Sequence, residues 1–319
     1  MRFKKIIRTP GILFIIILIL IIGSFISPHF LTLSNFSKIL YQSAILLLIA
    51  SGMTLVITLG EIDLSPGAVL SLSSMITALA MEKGSSVFLS IIVGLATGLI
   101  CGVINALFIV KAKVPAFITT FGMMSMAKGV SLGLKDGATV RGLNENFTNT
   151  IGGNIGPIPV VVLISIFCFI ILFVLLAHGK LGPYLFAIGT DKEAAEYSGI
   201  NVQLYNALPF VITGLLAGVA GILFTARLNL GHPTGGIGYE FEAIAAVVVG
   251  GNPLEGGRSN MVDTLLGVFA LSILKNSLTM LGYPIWWQMA ISGLVLIFAL
   301  LVPNILKYKL IRIRLGDKQ

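Results

Sequence analysis

Charge is scarce in this chain: of 319 residues only 11% are Asp, Glu, Lys or Arg. That is less than half the share a water-soluble domain carries, so a globule in water is excluded. Reactive groups are few as well, with three histidines and two cysteines. Cys101 and Cys168 both fall inside apolar runs, where they read as small core hydrophobes that imply neither a redox compartment nor metal or thiol chemistry. A nucleotide P-loop, GxxxxGK followed by Ser or Thr, is missing. Neither the glycine-rich stretch 250–258 nor Gly179-Lys180-Leu181 supplies one, so the chain is not an ATPase. The pairings of nucleophile and base that an intramembrane protease or acyltransferase needs are missing too. The basic stretch ending at Arg8 precedes an apolar run that no small-x-small site closes, so it reads as the flank of an uncleaved first helix.

What the chain has in abundance is apolar sequence: 56% hydrophobic residues and a mean hydropathy of +1.00. In hydrocarbon every backbone N–H and C=O must be paired internally. Barrel strands would alternate over about 10 residues, whereas 12–26 and 158–176 are apolar on all sides. The expected fold is therefore all-α, a single transmembrane domain over 1–319 with about ten spans. They are placed near 11–27, 42–60, 65–81, 86–110, 115–134, 158–178, 205–226, 238–253, 261–281 and 284–303. The eighth is the weakest, because Ala243 to Val249 is a short apolar core closed by Gly250 and Gly251. Read alone it is re-entrant. Removing it alone would place the basic C-terminal tail outside, so it is kept.

The net charge of +8 sits beside apolar runs and forms no aromatic-rich basic face, so nucleic acid is not the partner. With the N-terminus inside, fourteen of the 21 basic residues fall on inner segments: Arg2, Lys4, Lys5 and Arg8, then Lys111, Lys113, Lys180, Lys192 and Arg258, then Lys307, Lys309, Arg312, Arg314 and Lys318. An even number of crossings with both termini cytoplasmic follows, in a cytoplasmic (inner) membrane. Lys128 and Lys275 lie inside spans, where each either faces a cavity or snorkels to an interface. Glycines at four-residue spacing, Gly94, Gly98 and Gly102, and again Gly214 and Gly218, permit close helix packing, within one bundle or between chains.

Three polar segments carry more. The first, Gly189 to Ile200, lies in the longest expected cytoplasmic loop, about 179–205. It spells a two-turn helix: Thr190 as N-cap, Glu193 reaching back in a capping box, Gly199 as the left-handed stop and Ile200 as its apolar contact. A helix so short does not persist alone; either a soluble partner holds it or it is a capped connector on the membrane surface. The second, Gly60 to Ala68, has two acids and no base. Ser65 and Pro66 mark a helix start, with Asp63 near its positive end, either as capping or in a gating or docking role. The third is Gly250-Gly251-Asn252-Pro253-Leu254-Glu255-Gly256-Gly257-Arg258.

In order and wording these segments resemble the permease subunits of ribose-type ABC sugar importers. The shared motifs are Ile62-Asp63-Leu64-Ser65; the stretch from Asn105 through Lys111-Ala112-Lys113-Val114-Pro115 to Phe117 and Thr120; Glu193-Ala194-Ala195 with Gly199-Ile200; and Gly238-Tyr239-Glu240 running through Ala243-Ile244-Ala245-Ala246 into Gly256-Gly257-Arg258. Pro66, Glu61 and Asn260 depart from the usual pattern. The resemblance covers nearly the whole chain. It implies a type II importer permease paired with a second permease chain, identical or paralogous. Separate ABC ATP-binding subunits bind the ATP, so the chain itself needs no cofactor, and an extracytoplasmic solute-binding protein docks on outer loops such as 135–157. That loop is equally readable as a passive linker.

On this resemblance Thr190, Asp191, Glu193, Ala194, Ala195, Gly199 and Ile200 couple to the ATPase, while Asp63, Ser65, Gly256, Gly257 and Arg258 form cytoplasmic loops and gate. Asn105, Phe117, Thr119 and Thr120 are candidates for the sugar pathway, though core packing explains them as well. The cargo is a pentose, a hexose or a furanose-like signal molecule. The rival is a self-contained secondary transporter, which would bury acid or histidine relays in mid-span; His29, His178 and His232 instead lie near span ends.

Overall fold

The computed structural model describes residues 10–284, 286–295, 297–299 and 301. The terminal basic residues used for the inside assignment, Arg2 to Arg8 and Lys307 to Lys318, lie outside the described residues.

The fold is helical. Among the described residues the first ten helices are α1 (Pro10–Ile26), α2 (Leu33–Thr58), α3 (Pro66–Glu82), α4 (Val87–Val110), α5 (Ala116–Gly133), α6 (Glu145–Thr150), α7 (Val160–His178), α8 (Leu181–Thr190), α9 (Lys192–Tyr197) and α10 (Val202–Leu228). Then come α11 (Tyr239–Val249), α12 (Met261–Met280) and a helical stretch at 286–295. Among the described residues five helices are long and apolar enough to cross a membrane: α2, α4, α7, α10 and α12.

Helix α2 is the axis. It is buried without interruption from Ser43 to Thr58, as expected of a helix that is apolar on every side. It starts at Leu33, nine residues before the apolar run suggests, because Thr32 accepts a hydrogen bond from the Asn35 amide and Asn35 pairs side chain to side chain with Asn276 of α12 at 2.9 Å. Capping and that buried amide pair carry the helix through its polar first turns.

The glycine stripes settle their own question. A Cβ on Gly98 would stand 2.7 Å from the Gly218 Cα, and one on Gly214 would stand 2.6 Å from the Gly102 Cα. Helices α4 and α10 therefore touch backbone to backbone within one chain. Beside them, Ser73 of α3 donates to the Gly94 or Gly218 carbonyl oxygen at 3.0 Å, a hydroxyl bridge suited to close packing in a medium without water.

The eighth span is half a helix. With 11 residues, α11 rises about 16 Å, well short of the roughly 30 Å hydrocarbon core. Residues 229–238 before it hold no helix, only turns and the two strand residues Leu230 and Gly231. The chain nevertheless travels from one end of the bundle to the other here. Strand β4 (Leu230–Gly231) pairs antiparallel with β1 (Val140–Arg141) at one end, and Gly257 bonds the foot of α2 at the other.

The 135–157 loop contains more structure than its composition suggests. It holds β1, α6 and β2 (Asn154–Ile155), which forms a hairpin with β3 (Ile158–Pro159) around Gly156-Pro157. Phe147 of α6 is fully buried against Val140, Leu143 and Ile222.

Candidate functional site

The three polar segments meet at the foot of α2. The Gly257 amide donates to the Thr58 carbonyl at 2.9 Å, and the Thr58 and Ser259 hydroxyls share a hydrogen bond of 2.6 Å. Gly189 packs against both Thr58 and Gly257, and Gly257 in turn lies against the Thr190 hydroxyl. Gly256 (φ +81°) and Gly257 (φ +75°) take left-handed backbone that other residues rarely adopt. Their lack of a Cβ lets the 250–258 loop touch Gly60 and Thr190. Arg258 is exposed beside this junction.

Helix α9 hangs from the junction. Its cap is Asp191, whose Oδ1 accepts from the Ala194 amide at 3.0 Å, and not Thr190 as the capping-box pattern suggests. Thr190 closes α8 instead, its hydroxyl donating to the Phe186 carbonyl at 2.7 Å. Two cap-competent residues stand side by side, and the additional helix α8 takes the first. The stop is as expected: Gly199 has φ +81°, its amide donates to the Glu196 carbonyl at 2.9 Å, and the Ile200 amide reaches the Ala195 carbonyl at 3.2 Å. That pair of bonds is the Schellman arrangement.

One residue anchors this helix. Ala195 is buried in a small cluster with Ile188 and Val202, onto which Leu59, Ile200 and Tyr205 pack. Tyr184 and Tyr205 meet edge to face at 4.7 Å and fasten α8 to α10. The other face of α9 is open: Glu193, Ala194 and Glu196 are exposed, and Tyr197 is 91% exposed. The coupling set expected from the sequence does not include Lys192, Glu196 or Tyr197. A large aromatic ring left almost bare on a two-turn helix is visible only once burial is known.

Two of the gate candidates, Asp63 and Ser65, and two of the pathway candidates, Asn105 and Thr120, form one cluster. The Ser65 hydroxyl and amide both donate to Asp63 Oδ1, at 2.7 and 2.8 Å. Asn105 of α4 donates through Nδ2 to the Ser65 hydroxyl at 3.0 Å, and the Thr120 hydroxyl of α5 accepts from the Leu64 amide at 3.1 Å. Ser65 occupies the N-cap position of α3, with Pro66 in the first turn, yet its side chain makes no cap bond; its hydroxyl is taken by Asp63 and Asn105. Phe117 is not part of the cluster and is 57% exposed. The Thr119 hydroxyl is buried without a partner among the described residues.

Electrostatics tie the connection of α2 with α3 to α9. Burial raises the Glu61 carboxyl above its ordinary range, and the Lys192 ammonium of α9 pulls it back. Burial also raises Asp63, to about 6, against the lowering effect of its two Ser65 hydrogen bonds. Glu61, Lys113, Lys192, Glu196, Gln203 and Asn206 line an open cavity of about 430 Å³ between α9 and the α4–α5 turn. Among the described residues no cluster of His, Cys, Asp and Glu could hold a metal ion.

Long apolar helices, a half-length helix after a non-helical approach, and buried polar side chains within an apolar bundle are the build of a multi-pass membrane permease. The chain belongs to the family described as branched-chain amino acid transport system / permease component, whose model matches residues 35–300. Among curated proteins it is similar to the ribose import permease protein of Escherichia coli (strain K12), 36% identical over 297 residues that cover 91% of each chain. The ribose import permease protein of Bacillus subtilis (strain 168) is 39% identical over 288 residues, 89% of each chain. The D-allose transport system permease protein of Escherichia coli (strain K12) is 33% identical over 298 residues, 93% of this chain and 91% of that one. No solved structure gives a significant match.

Proposed function

We propose that this chain is the transmembrane permease subunit of an ATP-driven ABC importer that moves a monosaccharide, ribose or a close relative, into the cytoplasm. The curated ribose and allose permeases support the sugar class. The observation that carries the mechanism is α9: capped at both ends, held by one buried alanine, and offering Glu193, Glu196 and Tyr197 outward.

The chain crosses a cytoplasmic membrane about ten times, with α9 and both termini on the cytoplasmic side. ATP binds to a partner subunit, and the α9 knob couples to it. A solute-binding protein delivers sugar at the opposite end, where β1, β4 and α6 lie, and a second permease chain completes the pathway. When the ATPase pair closes, α9 shifts. The shift reaches α2 by two physical links: Ala195 against Leu59, and Thr190 through Gly257 to the Thr58 carbonyl. Two packings of this junction, each favoured by a different nucleotide state, suffice for alternating access. No residue acts as acid, base or nucleophile.

Glu193→Lys tests the coupling role. It reverses one exposed charge and removes no buried contact. The variant is expected to insert and fold normally while co-purifying with its ATPase at a fraction of the native yield and losing ATP-driven uptake. Native yield and native uptake together would remove α9 from the mechanism.

A further inference from the structure

One pair of charges stands apart from the α9 junction. Lys275 of α12 donates through Nζ to Glu242 Oε1 of α11 at 2.5 Å. The two side chains are mostly covered, Lys275 at 26% and Glu242 at 15% exposure. Glu242 lines a cavity of about 160 Å³ together with Gly238, Phe241, Met289, Ser292 and Gly293. Charged side chains within spanning segments are costly and usually face an aqueous cavity or a partner group. An ion pair of this kind is weak evidence of stabilisation, since well-packed apolar side chains hold helices as well or better. The place of Glu242 in a cavity wall asks for another reason.

We infer that the Glu242–Lys275 pair and the cavity beside it form a contact point for sugar hydroxyls on the transport path, an inference that rests on the reading of the chain as a sugar permease. The chemistry fits an uncharged polyol. The Glu242 carboxylate in the cavity wall accepts from one hydroxyl, the Ser292 hydroxyl, whose own proton goes to the Gln288 carbonyl at 2.8 Å, accepts from another, and the Lys275 ammonium holds the carboxylate in place. Phe241, 51% exposed, offers an apolar ring to the C–H face of a sugar. The pair sums to zero charge, so an ionic cargo would gain from one member and be repelled by the other. Placement agrees as well: Glu242 sits in the first turn of the half-length helix, just past the left-handed Gly238, and transporters build cargo sites at such interrupted helices.

A charge swap separates a pathway contact from a strut between α11 and α12. Glu242→Lys combined with Lys275→Glu keeps an attractive pair in place with donor and acceptor exchanged. Each variant is reconstituted with the ATPase and a saturating, loaded binding protein, and sugars imported per ATP hydrolysed are counted. The swap is expected to assemble and hydrolyse ATP as the native complex does, yet to import roughly tenfold fewer sugars per ATP, as loss of a charged hydrogen bond implies. A swap that transports at the native ratio overturns the inference and leaves a strut only. Should the swap fail to fold, Ser292→Trp fills the cavity while leaving both charged residues unchanged: lost uptake with intact ATP hydrolysis supports the inference, and native uptake overturns it. Absence of ATP-driven sugar uptake in the native complex would instead sink the permease reading itself.

Discussion

Gly257 is where the account can be pressed hardest by one methyl group. Replacing it with Ala imposes two separate costs. At φ +75° an L side chain costs about 1–2 kcal/mol. The added Cβ would also stand 2.7 Å from the Thr190 hydroxyl, with the Thr190 Cα and amide nitrogen at 3.4 and 3.5 Å, an overpacking worth about 1 kcal/mol or more. Gly257→Ala should therefore destabilise the protein by about 2–4 kcal/mol, measured by equilibrium unfolding in mixed micelles. The two costs can be separated. Thr190→Ala removes the hydroxyl that causes the crowding at the small cost of one exposed bond within its own helix. In that background Gly257→Ala should cost only the conformational part, so the cycle shows a coupling of about 1 kcal/mol, above the few tenths expected of independent sites. Equal costs in both backgrounds would refute the contact between α8 and the 250–258 loop, and with it the route from α9 to Thr58.

Gly98→Ala should force α4 and α10 apart and cost about 1–3 kcal/mol, since backbone faces it on the other helix. Gly122→Ala inside α5, with open space around it, should leave stability unchanged or raise it by up to about 1 kcal/mol, since Ala is the better helix former; similar effects at both positions would contradict the packing. Asp63 has a folded value of about 6 against an ordinary 3.8, so its contribution is fully present below about pH 4 and is lost as pH rises through about 6, by about 3 kcal/mol. Asp63→Asn should remove that part of the slope when unfolding is compared at acid and neutral pH, and an identical slope in both proteins would show that Asp63 does not titrate there. Single cysteines at Asn144 and Gln203 should react with an impermeant thiol reagent from opposite sides of sealed vesicles, and labelling from the same side would overturn the topology.

Much of the frame is legible in the apolar runs. Helices expected at 86–110, 115–134 and 261–281 appear at Val87–Val110, Ala116–Gly133 and Met261–Met280, because Ser86, Pro115 and Asn260 stand at their entrances. What was not legible depended on contacts. The polar turns of α2 survive through the Asn35–Asn276 pair, and those residues are 241 positions apart. Helix α8 hides in a segment without a strong run, and only its packing reveals that Leu185 and Ile188 share a buried face. At the site, composition pointed to the α9 helix and its glycine stop. It gave no sign that Asp63, Ser65, Asn105 and Thr120 belong together, or that Lys275 meets Glu242. Convergence of distant segments through single hydrogen bonds leaves no local pattern in a chain.

The central proposal is that the bundle has no motor of its own and is driven through α9. Sealed vesicles holding this chain with its ATP-binding partner, supplied with labelled ribose and binding protein, test it directly. Accumulation should require ATP and cease when the ATP-binding partner is omitted. Equally fast accumulation with neither ATP nor that partner would contradict the account.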